Sequence, residues 1–232
     1  MGKFLAAALL AALAPALAAA QAPALPSRAD ALAREIEPQV VAWRREVHRN
    51  PELSYQETAT AAMVAKALAA MPGLRVTTGI AKTGVKGVLV GGKPGPVIAL
   101  RADMDALPVE EKTGLAFASR VKATWRGKES FVAHACGHDA HVAMLLGAAS
   151  TLSRMRADLA GTVVFLFQPA EEWGGEDGGL PSGATQMVRE GVLDDPKVQL
   201  VLGQHVGGEA PSGTIRCARA RSWRAATTST SW

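Results

Sequence analysis

An α/β fold, with a mixed and mostly parallel sheet carrying helices on both faces, is predicted by three features of this 232-residue sequence. Segments with apolar residues at helical spacing alternate with short β-rich runs, the order that favours strand pairing through covering helices. Glycine and proline separate the runs. The apolar content, 48%, is ample for one sizeable domain or two small ones.

The chain opens with Lys3 and a nearly unbroken apolar run from Phe4 to Ala20, ending Ala18-Ala19-Ala20 before Gln21-Ala22-Pro23. This is the layout of a secretory signal peptide, residues 1–20, with removal expected after Ala20. An uncleaved anchor is the rival reading, but the run is Ala-rich, short for a full span, and followed by Pro23 and Pro26. The protein is therefore expected to be exported, periplasmic or secreted, and free of the membrane once the leader is removed.

From Ser27 to Arg49 the positions Leu32, Ile36, Val40, Trp43 and Val47 recur with helical period, with Ser27 or Asp30 as candidate N-caps and Pro38 as a candidate division. Asn50-Pro51-Glu52 turns the chain, and Thr58 to Ala70 reads as a second helix closed by Pro72-Gly73. Leu74 to Thr78, Gly87 to Val90 and Val97 to Leu100 read as strands. His141 to Met155 returns to helix, Thr162 to Phe167 is a buried strand, Gly183 to Glu190 a helix, and Val198 to Leu202 a last strand.

In such sheets reactive groups gather beyond the carboxyl ends of strands. Arg101-Ala-Asp103-Met-Asp105, Gln168-Pro-Ala-Glu171-Glu172 and Gln204-His205 each follow a predicted strand. Cys136 and His138 are separated by one glycine, so a turn can bring thiolate and imidazole to one ion, a donor pair suited to zinc or another late divalent metal. The bland reading of the same residues is a buried Cys beside surface histidines, or a Cys136–Cys217 disulfide in an exported protein. Glu171 and Glu172 are adjacent, and in extended chain their side chains point opposite ways, leaving one for metal and one for substrate. Asp103 and Asp105 share one face by the period of two and could orient a ligand or support a metal, or serve only as turn and cap residues.

The formal charge of +4 invites a nucleic-acid reading, but the tail from residue 210 holds Arg216, Arg219, Arg221 and Arg224 and no acid, which accounts for all of it. No basic patch interleaved with aromatics occurs in the body, so nucleic acid is not expected as a partner.

Taken together the motifs closely resemble the metal-dependent amidohydrolases and carboxypeptidases of the M20 peptidase family, especially the branch that cleaves hippurate and auxin–amino-acid conjugates. The matching segments are Glu46-Val-His48-Arg-Asn-Pro51-Glu52-Leu-Ser54, Leu100-Arg-Ala-Asp103-Met-Asp105-Ala-Leu-Pro108, His134-Ala-Cys136-Gly-His138-Asp-Ala-His141, Gln168-Pro-Ala-Glu171-Glu172 and Gln204-His205-Val206, in family order. The resemblance implies a zinc-peptidase-like catalytic domain over residues 27–216. It also implies two divalent ions (Zn, Mn, Ni or Co) held by Cys136, His138, Glu172 and His205, with Glu171 as general acid/base and Asp105 as the orienting aspartate. Asp103 lies where other branches carry a metal-binding histidine. The implied reaction is hydrolysis of the amide bond of an N-acyl-amino acid or small peptide.

After Gly213-Thr-Ile-Arg216 the resemblance stops, and residues 217–232 form a tail with Arg and Trp but no acid, as a frameshift or early stop near Cys217 would produce. Relatives continue with a dimerisation domain and a further metal-binding histidine, so the resemblance implies a chain that cannot dimerise by that domain. The expected alternatives to an active hydrolase are a metal-binding fragment without turnover and an exported protein that uses Cys136 and Cys217 for redox or disulfide chemistry.

Overall fold

The computed structural model of the chain describes residues 24–173, 180–208, 211 and 213–215. The expected signal peptide, Arg216, Cys217 and the rest of the tail lie outside the described residues.

The first helix, α1 (Leu25–Arg49), begins with a proline in its first turn, where no N–H is needed. Its predicted apolar stripe is the side turned inward, ending in buried Val47. Pro38 does not divide it: the residue lies inside the helix on the exposed side, where water can take the carbonyl that its missing N–H leaves free. A second helix, α2 (Thr58–Ala69), is capped by Glu52, whose two carboxylate oxygens accept from the N–H groups of Ala59 (2.9 Å) and Thr60 (2.7 Å).

Strands β1 (Leu74–Ile80), β2 (Gly84–Val90) and β3 (Lys93–Asp103) follow, then a small hairpin of β4 (Lys122–Trp125) and β5 (Lys128–Phe131). Helix α3 (His138–Arg154), strand β6 (Ala160–Gln168), short helix α4 (Gly183–Arg189) and strand β7 (Leu200–Gly203) complete the order. The main sheet runs β1-β2-β6-β3-β7. Pairing is antiparallel for β1/β2 and β2/β6 and parallel for β6/β3 and β3/β7. The sheet is thus mixed, with parallel pairing confined to one half. The three residues between β1 and β2 can only reverse the chain, and Ala81 and Lys82 take positive φ to do so.

Alternation along the strands sorts the core into two layers. Val85 and Leu89 of β2, Phe165 and Phe167 of β6 and Ala102 of β3 pack on one face against Val64 and Leu68 of α2 and Val142, Leu145 and Leu146 of α3. Val164 and Leu166 of β6 and Ala99 of β3 face the other way, toward Met187 of α4 and Val192. Helix α1 lies on α3 at a close approach: a Cβ added at Gly147 would come within 2.8 Å of Val40 Cγ2.

Two further local features differ from the sequence reading. Helix α3 starts at His138, three residues before the apolar period becomes visible, because the first turn carries polar residues that serve the site. The β4–β5 hairpin was not anticipated; its four-residue strands are half-exposed and its turn, Arg126-Gly127, has positive φ at both residues. Among the described residues no helix is long and apolar enough to cross a membrane.

Phe165 is fully buried between the central strands and α2. Phe165→Ala should cost about 3–5 kcal/mol in urea unfolding, whereas a loss under about 1 kcal/mol would show that this layer is not close-packed.

Candidate metal centre

The parallel half of the sheet places three strand ends side by side. In the β3/β6 ladder Asp103 pairs with Gln168, and in the β3/β7 ladder Arg101 pairs with Gly203. The chain beyond each strand therefore supplies its polar residues to one locus: Asp105 after β3, Glu171 and Glu172 after β6, His205 after β7. The N-terminus of α3 enters the same space with Cys136 and His138.

Gly137 makes that entry possible. It precedes α3 with φ of 93°, a left-handed conformation that costs a side-chain-bearing residue roughly 1–2 kcal/mol. A Cβ there would also collide with Val206 Cγ2. Across that glycine Cys136 Sγ and His138 come together with His205, their ligand atoms within 4.8 Å of one another. Cys136 Sγ lies 3.4 Å from His205 Nε2.

His138 is completely buried, and its ring is fixed from one side: Nδ1 donates to the Asp105 carbonyl at 2.8 Å and lies 3.4 Å from the Asp105 carboxylate. Among the described residues its Nε2 has no hydrogen-bond partner and neither has Glu172 Oε1, both buried, and these two atoms are 3.8 Å apart. Glu171 Oε2 is 3.9 Å from the same Nε2, and Asp103 Oδ1 is 3.7 Å from it. Asp103 and Asp105 thus reach opposite nitrogens of one imidazole. The expectation that Glu171 and Glu172 point opposite ways does not hold. The chain bends there, with Ala170 at a φ of 47°, so both carboxylates turn toward His138. They differ in exposure, 40% for the Glu171 side chain against 19% for Glu172.

Asp105 organises this loop. Its buried carboxylate accepts from Ser54 Oγ (2.6 Å), Glu171 N–H (3.0 Å) and Glu172 N–H (3.0 Å). Burial opposes its ionisation, but the His138 imidazole and these donors win and lower its pKa. Asp103 behaves alike: burial is overridden by the hydrogen bond from His141 and the charge of Arg101, which hold the carboxyl well below its ordinary range.

The remaining shifts report an excess of negative charge facing one point. Burial pushes the Cys136 thiol up to about 12, with the Glu172 and Glu171 charges adding to it. Burial likewise raises Glu172. Burial would lower His138, yet Asp105, Asp103 and Glu172 lift it to about 9. A cation among these groups would reverse each shift. Two buried orphan ligand atoms and a thiol beside an imidazole nitrogen fit a thiolate- and imidazole-binding divalent ion.

Several supporting residues gave no sign in the sequence of the partners they serve. Glu57 is buried, and its oxygens accept from Thr83 Oγ1 (2.6 Å) and from the N–H of strained Ala170 (2.8 Å). His48 is held between Asp139 Oδ2 (2.9 Å) and Glu111 Oε1 (3.0 Å), tying the end of α1 to the first turn of α3. Trp173 follows Glu172 and meets Trp125 at 5.8 Å between ring centroids. The Arg126 guanidinium lies over both rings, forming an aromatic and cationic wall next to the carboxylate loop. For the alternative use of Cys136 in a disulfide, the partner Cys217 lies outside the described residues.

Burial raises the Glu57 pKa to about 7. An acid raised in the native state stabilises the fold below its ordinary value near 4.5, and this contribution is lost as pH rises through about 7. Melting temperature against pH should therefore fall over that window by an amount worth on the order of 3 kcal/mol, and Glu57→Gln should flatten it. Parallel curves for the two proteins would refute a neutral buried Glu57.

Residues 99–220 match the model of Peptidase family M20/M25/M40. The chain is 46% identical over 183 residues to a protein named thermostable carboxypeptidase 2 of Saccharolobus solfataricus, covering 78% of this chain and 42% of that one. It is 44% identical over 184 residues to an N-acyl-L-amino acid amidohydrolase of Geobacillus stearothermophilus, covering 79% of this chain and 45% of the relative. Among solved structures it is similar to the Bacillus subtilis YXEP protein, described as a dinuclear metal binding peptidase from the M20 family. That match has a TM-score of 0.65 at 38% identity and covers 78% of this chain and 45% of the other. The chain spans less than half the length of these relatives.

Proposed function

This chain belongs to peptidase family M20/M25/M40, and from that premise we propose that it carries the metal-binding half of a hydrolase that cleaves the amide bond of N-acyl-amino acids or small peptides. The observation that carries the reading is the meeting of two buried ligand atoms without a hydrogen-bond partner among the described residues, His138 Nε2 and Glu172 Oε1, beside the Cys136–His205 pair.

Cys136, His138, Glu172 and His205 would hold the metal, drawn from Zn, Mn, Ni or Co, with His138 offering its one free lone pair at Nε2. A divalent ion supplies two things when bound: it lowers the pKa of a water from about 15.7 toward roughly 7, and it polarises a carbonyl oxygen. Glu171, the more exposed carboxylate, would accept a proton from the attacking water and hand it to the departing amine. Asp105 holds the backbone of both glutamates and the His138 tautomer, so that one carboxylate binds while its neighbour stays free to move a proton. Cys136 serves as a ligand, because a coordinated thiolate has its lone pair engaged and does not attack. The wall of Trp125, Arg126 and Trp173 suits a substrate with an apolar or aromatic acyl group and a free carboxylate.

The test is hippurate hydrolysis by the purified, metal-loaded protein, with metal content measured in parallel. Glu171→Gln should lower turnover by about 10²–10⁴-fold while retaining the metal, as loss of a general acid/base does. Glu172→Gln should lose the metal, and a chelator should abolish activity. Loss of metal from the Glu171 variant would make Glu171 a ligand. Metal binding without hydrolysis would reduce the function of this chain to metal binding.

A further inference from the structure

Asp103, His138 and His141 also bring ligand atoms within 4.8 Å of one another, all three buried, and by distance alone they form another candidate group of donors. The hydrogen bonds assign two of them a different job. The backbone N–H of Val206 donates to His141 Nε2 at 2.9 Å. A backbone amide can only donate, so Nε2 is the unprotonated nitrogen and the ring proton sits on Nδ1. Nδ1 lies 2.5 Å from Asp103 Oδ1 and donates to it. Both nitrogens of His141 are therefore used within the protein.

Asp103 is used as well. Its second oxygen accepts from Arg101 at 2.6 Å, and Arg101 Nε donates in turn to Gln168 Oε1 at 2.9 Å. A continuous chain of hydrogen bonds thus runs from the end of β6, across β3 and α3, to the peptide of Val206. In the next peptide unit the Val206 carbonyl lies 2.6 Å from His205 Nδ1 and accepts that proton. This leaves His205 Nε2 as the lone pair facing Cys136 Sγ at 3.4 Å. The Val206 side chain packs over Gly137, between Cys136 and His138, so one residue is held by both halves of the site.

We propose that Asp103 and His141 are positioning residues: by anchoring the backbone of Val206 they set the tautomer and aim of His205, and they are not ligands themselves. The inference rests on the assignment of His205 as a ligand. Such supporting partners usually contribute about 10–100-fold to metal affinity, and they do so only through the ligand they orient.

A double-mutant cycle read by cobalt titration of the purified chain tests this. His141→Ala and His205→Ala should each weaken Co²⁺ binding by about 10–100-fold, and the double variant should bind no more weakly than His205→Ala alone. Additive losses would overturn the proposal, because His141 would then act independently of His205. The metal-free protein gives a second reading. Nitrogen-15 spectra of the wild type should show His141 protonated at Nδ1 alone, and the Val206 amide should exchange at least ~10-fold faster in His141→Ala. A ring protonated at Nε2, or equal Val206 exchange in both proteins, overturns the link even where the alanine variant folds poorly. A wild type that binds no cobalt yet shows the protected Val206 amide sinks the metal assignment while supporting the link itself.

Discussion

The carboxylate of Asp105 is the interaction on which the rest of the site depends. A buried carboxylate is expensive unless donors surround it, and here Ser54, two consecutive backbone amides and a nearby imidazole do so. The donors are not local. Ser54 comes from the turn between the first two helices, the amides from the loop after β6, and the imidazole from the start of α3. One desolvated charge therefore recruits three separate segments to the same point, and the parallel β3/β6 register, Asp103 opposite Gln168, brings their strands into reach.

The charge balance of the site follows from that arrangement. Fixing Asp105 and Asp103 as ions beside Glu171 and Glu172 leaves four carboxylates around a single buried imidazole. The thiol of Cys136 and the carboxyl of Glu172 are driven toward their neutral forms, and His138 toward its cation. Protons and a divalent cation would therefore compete for Cys136, Glu172 and His138, so that binding the ion releases protons.

Much of this was legible from residue types and order. The alternation of helix and strand, the position of each polar cluster beyond a strand, and the Cys136-Gly137-His138 spacing all correspond to observed features. What escaped detection depends on pairing between distant segments. Within the first matching motif His48, Glu52 and Ser54 are merely polar residues in a row; in space one anchors α3, one caps α2 and one holds Asp105. Glu57 and His141 were invisible as supports because the partners they serve, the Ala170 and Val206 amides, lie 113 and 65 residues away. Adjacent glutamates misled for a related reason: the alternation rule holds only while the chain is extended, and Ala170 bends it.

That bend shows how the fold and the chemistry share their costs. Ala170 sits in left-handed backbone without being glycine, and such a residue persists only where its surroundings over-determine it. Here the determinants are its own N–H on Glu57 and the next two N–H groups on Asp105, so three successive amides are held by two buried carboxyl groups. Each alone could rotate; together they leave the loop one conformation, in which Glu171 and Glu172 both face His138. Gly137 plays the opposite part across the site, where the same left-handed region costs little and the absent side chain admits Val206. One strained turn held by carboxyl groups and one relaxed turn packed by valine thus converge on the same imidazole, and the site inherits its precision from the disagreement between their local preferences and their enforced geometry.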